Sequence, residues 1–204
     1  MLENSEINPK FNPTSIKFIA IDSGTHGAIC ECNYKTREIG LYKLDGLEPE
    51  KLLPILDGVI HNINLVDCIV IEEPPRFMGT MIPSARIAVL FESFGIMIGY
   101  LMSKNIKVIR VSPREWQARL NDLIGNRGKM KHSKWKKILT DYAKSRYTGT
   151  DNLTQQTADS LLIAEWWINE GIYKNHEKNS IKKNAVQEKS KKTKQSIKKK
   201  TITE

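Results

Sequence analysis

Apolar and polar positions along the chain sort into short runs with distinct periods. Residues 16–22 (IKFIAID) form an apolar run ending in an acid, and 28–33 and 38–43 follow with strand-like composition, which predicts a three-stranded meander. Gly24 and Gly27 bracket the turn between the first two strands. Residues 49–62 carry Leu52, Leu53, Leu56, Val59 and Ile60 at helical spacing. VDCIVIEE (66–73) reads as a buried strand ending in acids, and 83–105 as a long helix with so little polar surface that burial is expected. A fifth strand spans 106–111, and Ser112-Pro113 supplies a helix cap and first turn. A polar helix over about 133–146 and an apolar one over 155–171 complete the order β-β-β-α-β-α-β-α-α-α. An antiparallel meander followed by β-α-β units implies a mixed α/β sheet with helices on both faces.

Composition then separates a core from a tail. The formal net charge is +9, yet residues 174–204 hold eleven Lys against three Glu and so account for +8. The rest is close to neutral. The domain reading is a loose leader (1–15), one folded domain (16–173) and a lysine-rich tail (174–204) that either contacts a polyanion or is simply solvated. The length excludes two full lobes around a nucleotide cleft. Three cysteines, Cys30, Cys32 and Cys68, lack disulfide or zinc-ligand spacing and fit a reduced, cytoplasmic protein of a bacterium or phage. No signal-like start is apparent, and no apolar run is expected to cross a membrane.

Candidate chemistry lies at the strand ends. Asp22 closes the first strand, and Glu72 and Glu73 close the fourth. If those strands are neighbours, Asp22 and Glu72 converge, and like charges so close require a proton or a cation. In TADSLLIAEWW (157–167), Asp159 opens a helix whose apolar face must pack on the sheet, which carries this acid toward the same end. Asp159 also suits plain helix capping. Three carboxylates from distant segments can hold two hard cations about 3.5–4 Å apart and catalyse phosphodiester hydrolysis. GNRGKMKHSKWKK (125–137) concentrates Arg127, Lys129, Lys131, Lys134, Lys136 and Lys137, which suit phosphate contacts. PPRFMGTMIP (74–83) follows the acids with Arg76, Phe77 and Met78, residues able to grip or wedge between bases unless the loop folds into the core. Gly95 and Gly99, four apart on the long helix, mark close packing on a sheet or a second copy.

Taken in order, FIAIDSGTHGA, IVIEEPPRFM, the Gly95/Gly99 helix, IKVIRVSPREW and TADSLLIAEW resemble the RuvC-like Holliday junction resolvases of the RNase H-like superfamily, in their phage and organelle-type branch. The resemblance covers about 16–170. It implies a five-stranded sheet in the order 3-2-1-4-5 with strand 2 antiparallel. It also implies a homodimer, no nucleotide cofactor, and two Mg²⁺ per active site, with Mn²⁺ substituting, that nick opposing strands of a four-way DNA junction. By position, Asp22, Glu72 and Asp159 match the family's acids, Phe77 its inserted aromatic, and Lys131 or Lys134 a basic residue on the scissile strand. The family usually has Asp or His where this chain has Gln156, a neutral and weak ligand, so Glu73 or Asp151 is a possible substitute. The family's usual Asp-Pro-Gly is here Asp-Ser-Gly. Three alternatives share parts of this pattern. A kinase or ATPase would need a second lobe and a second Asp-x-Gly phosphate motif, a YqgF-type RNA-processing nuclease carries a different final acidic motif, and a catalytically weak junction binder would tolerate Gln156.

Overall fold

The computed structural model describes residues 17–24, 26–33, 38–44, 48–60, 66–75 and 83–171. Five strands are present: β1 (Lys17–Asp22), β2 (Ala28–Asn33), β3 (Ile39–Lys43), β4 (Val66–Glu72) and β5 (Val108–Val111). They form one sheet in the order β3-β2-β1-β4-β5. β2 runs antiparallel to both β1 and β3, whereas β1, β4 and β5 are parallel. This is the mixed α/β sheet, with β2 reversed, that the resemblance implies.

The helices are α1 (Pro49–Val59), α2 (Ser84–Ser103), α3 (Pro113–Gln117), α4 (Asn121–Ile124), α5 (His132–Arg146) and α6 (Ala158–Trp166). A wide turn, Trp167–Gly171, follows α6. The chain divides into two compact units, Met1–Glu165 and Trp166–Glu204, and every residue of the site below belongs to the first.

Alternation along the strands decides which side chains reach the site. Ile19 and Ile21 of β1, Ile29 of β2 and Ile69 and Ile71 of β4 pack with Leu52 and Leu56 of α1 and Phe94, Met97, Ile98 and Leu101 of α2. The residues between them point to the opposite face. Phe18, Ala20, Cys30, Cys68 and Val70 are also buried, so that face is covered too. Asp22 and Glu72 share its parity and are placed there by the same alternation.

Two expectations are corrected here. α2 does not bury its whole surface. Ser93, Phe94, Met97, Ile98 and Leu101 are buried, but Val89, Phe91 and Met102 are 48%, 41% and 63% exposed. An apolar composition reads as burial, yet the described residues supply neighbours for only one side of this helix. With 20 residues and a mean hydropathy of 1.5, α2 is also long and apolar enough to cross a membrane by length and composition, contrary to the sequence reading. Its packing on the sheet commits one face to the core.

Candidate nuclease site

β1 and β4 lie side by side, with Ala20 opposite Val70 and Ile21 opposite Ile71, so Asp22 and Glu72 come next in register. Adjacent strands are about 4.8 Å apart, which brings the two carboxylates together at the carboxyl end of the sheet. The turn after β1 holds Asp22 in place. The Gly24 amide donates to Asp22 Oδ1 at 3.0 Å, and the Gly27 amide donates to the Gly24 carbonyl at 2.8 Å. A Cβ on Gly27 would stand 2.0 Å from the Asp22 carbonyl oxygen, so only glycine fits. Ser23 donates its hydroxyl to the Glu72 carbonyl at 2.6 Å and ties the ends of β1 and β4 together. A proline at this position would lack that bond.

Asp159 arrives from the first turn of α6 and is 4% exposed. The loop before α6 is fixed by Thr157, whose hydroxyl accepts from the Thr154 amide at 2.9 Å and donates to the Asn152 carbonyl at 2.7 Å. The fourth member of the cluster is Lys136 of α5. Its ammonium donates to Asp159 Oδ2 and stands 3.9 Å from Asp22 Oδ2. Trp135, Leu139 and Ala143 form the buried column of α5, and His132, Lys136 and Thr140 form the column beside it. Lys136 was one of six basic residues in its segment and had no special place. The four-residue spacing beside the apolar column is the signal that distinguishes it.

Electrostatics binds these groups into one unit. Burial, followed by the Asp159 charge, raises Asp22 to about 6, against the pull of Lys136 and the Gly24 amide. Burial and then Asp22 raise Glu72 to about 8, opposed by a hydrogen bond from the Trp116 indole. Lys136 is raised despite its burial because Asp159, Asp22 and Glu72 face it. His132 is lowered by burial and then by Lys136 and Arg127.

Three acids therefore surround one ammonium. Asp159 Oδ1 is buried and accepts no hydrogen bond among the described residues. Excess negative charge, hard oxygen donors and an unused buried oxygen fit a divalent cation such as Mg²⁺. No three His, Cys, Asp or Glu side chains among the described residues are grouped to hold an ion as they stand. Lys136 occupies the middle ground between two of the acids.

The remaining candidates fall elsewhere. Gln156 donates its amide to the Gly27 and Leu44 carbonyls at 3.1 and 3.3 Å, so it clamps the loop before α6 onto the turn after β1 and the end of β3. Gln156→Ala is expected to cost about 1–2 kcal/mol, read as a lower urea midpoint, with Mn²⁺ affinity unchanged. A tenfold loss of Mn²⁺ affinity would instead make its carbonyl a ligand. Glu73 is partly buried, and its amide donates to the Val111 carbonyl at 2.9 Å. Asp151 is exposed. Arg127, Lys129, Lys131 and Lys134 are all exposed around the start of α5, while the Lys136 ammonium reaches Asp159 and Asp22. Arg76, Phe77 and Met78 lie outside the described residues.

No protein-family model matches the chain, and no curated protein does. Solved structures do. RuvC of T. thermophilus in complex with a Holliday junction substrate shares 13% identity over 76% of this chain and 96% of its own, with a TM-score of 0.48. The yeast mitochondrial Holliday junction resolvase Ydc2 shares 17% over 85% of each chain, with a TM-score of 0.44. The fowlpox virus Holliday junction resolvase shares 16% over 74% of this chain and 96% of its own, with a TM-score of 0.36. Likeness this distant assigns no chemistry, which has to come from the residues themselves.

Proposed function

We propose that this chain is a Mg²⁺-dependent endonuclease acting on branched DNA, with a four-way junction as the preferred substrate. The observation that carries the reading is the convergence of Asp22, Glu72 and Asp159 from β1, β4 and α6 around one ammonium. Two Mg²⁺ ions held by these acids, or Mn²⁺ in their place, would activate water and stabilise the leaving oxygen of a phosphodiester. The chain's own groups do the rest. The Gly24 amide and the Ser23 hydroxyl keep the two strand ends rigid. Lys136 holds the acids together and offers a cation to the scissile phosphate. The exposed Arg127, Lys129, Lys131 and Lys134, just before and within the first turn of α5, would contact the phosphates of a bound strand. Phe77, five residues after Glu72, would serve as the aromatic inserted near the junction centre, with Arg76 and Met78 beside it in sequence as further DNA contacts.

A junction cut at paired positions needs two such sites related by symmetry, so the reading includes a homodimer. The exposed stripe of α2 supports it. Ala85, Ala88, Val89, Gly95, Gly99 and Met102 share one open side, and a Cβ on Gly95 or Gly99 would meet nothing within 4 Å. Glycine in a helix costs about 0.5–1 kcal/mol against alanine. Two glycines that no neighbour among the described residues requires suit close approach by a second copy. Gly95→Leu and Gly99→Leu are expected to turn the dimer into a monomer by light scattering while leaving the monomer's melting temperature unchanged or higher. A dimer that survives both changes would remove α2 from the interface.

Substrate choice is tested by binding in EDTA, where cleavage is absent. The chain should bind a four-way junction at least about tenfold more tightly than duplex of equal length or an RNA hairpin at fixed salt. Equal affinity for the RNA hairpin would favour an RNA-processing role for the same site.

A further inference from the structure

Trp116 takes no part in the chemistry above, yet among the described residues it is the one that donates a side-chain hydrogen bond to Glu72. Its indole Nε1–H donates to Glu72 Oε2, and the ring is 1% exposed. Local structure delivers it there. β5 pairs Val111 with Glu72, and the chain turns directly into α3, capped by Ser112, whose hydroxyl accepts from the Glu115 amide at 3.3 Å. One turn into α3, Trp116 meets the neighbouring strand's last side chain. The next residue, Gln117, accepts from the Trp135 indole at 3.1 Å, which docks α3 on α5 just before Lys136.

We propose that Trp116 is a positioning residue that fixes the Glu72 carboxylate for cation binding; this rests on reading the three acids as a metal site. The choice of an indole has a physical reason. Its N–H is a donor only, so it can pin one carboxylate oxygen without competing for metal. It is also neutral. A lysine or arginine in its place would orient Glu72 equally well but would cancel the negative charge that draws a cation. With Oε2 held, the other oxygen is the one left for a cation. Outer hydrogen bonds of this kind are worth about tenfold or more in metal affinity.

The test compares two changes that stress the core alike. Trp116→Phe removes the N–H on Glu72, whereas Trp135→Phe removes one that reaches only Gln117. Mn²⁺ titrated into each full-length variant by electron paramagnetic resonance should bind about tenfold more weakly to Trp116→Phe and within twofold of normal to Trp135→Phe. Junction affinity in EDTA should stay within twofold for both. On the nicking reaction, Trp116→Phe should lower kcat with little change in KM for DNA. Unchanged Mn²⁺ affinity in Trp116→Phe, or an equal loss in both variants, would overturn the role. A second measurement needs no tryptophan variant. The chain has four tryptophans, and Glu72→Gln should move one of the four indole N–H resonances in a nitrogen-15 spectrum. If all four stay in place, the hydrogen bond is absent and the inference fails. A wild-type chain that binds no Mn²⁺ would sink both the reading of the site and this role within it.

Discussion

Asp22→Asn is expected to lower junction cleavage by about 10³-fold or more, equivalent to roughly 4 kcal/mol of transition-state stabilisation, while binding of the junction in EDTA is kept or improves a few-fold. The asymmetry follows from the site. The asparagine carbonyl can still accept from the Gly24 amide, which lies 3.0 Å from Asp22 Oδ1, so the turn survives. The charge that would hold a cation does not. Burial first, and repulsion among the acids second, raise Asp22 to about 6 and Glu72 to about 8, and removing the Asp22 charge relieves both, so the metal-free variant should melt higher than the wild type. Loss of cleavage with a lower melting temperature would instead indicate a damaged fold. A pure junction binder would show no cleavage to lose.

Lys136→Met is the second large effect, and it works through pH. Asp22 and Glu72 are raised from 3.8 and 4.5 to about 6 and about 8, so between those values the folded chain holds protons that the unfolded chain has released. The unfolded state then binds fewer protons, and stability falls as pH rises through this window. Lys136 opposes that fall. Without it, the metal-free chain should lose about 3 kcal/mol at pH 8 and little at pH 5, the low end for a broken buried pair because the lysine side chain is 23% exposed. Mg²⁺ should restore most of the loss at pH 8, since a cation competes with protons for the same acids. Thermal melts in EDTA and in Mg²⁺ at the two pH values check this. Equal destabilisation at pH 5 and pH 8 would mean that Lys136 acts by packing alone. Cleavage by the variant should fall even where metal binds more tightly, because the phosphate loses its cation.

β1 and β4 were readable as short apolar runs ended by acids, and the side-to-side alternation of any strand placed Asp22 and Glu72 on one face once the two were neighbours. Asp159 was readable because an acid opening an otherwise apolar helix is carried to the sheet by its neighbours. What escaped was anything set by partners distant in sequence. Trp116 drew no reading of its own, since nothing local says that its N–H meets a residue 44 positions earlier. Gln156 looked like a weak ligand, but two backbone carbonyls claim its amide. Lys136 was hidden among like charges, because charge alone does not say which lysine flanks the buried column of a helix. The open face of α2 escaped for a different reason. Its apolar surface was read as core, and no sequence pattern separates an apolar face that the chain covers from one awaiting a second copy.

The most direct measurement is cleavage of a four-way DNA junction labelled on one strand at a time, with Mg²⁺ or with EDTA, beside duplex DNA and an RNA hairpin. The account predicts paired nicks at symmetric positions in opposing strands, only with Mg²⁺, and none in the duplex or the RNA. Equal cleavage of the RNA, nicking that persists in EDTA, or an intact junction in Mg²⁺ would contradict it.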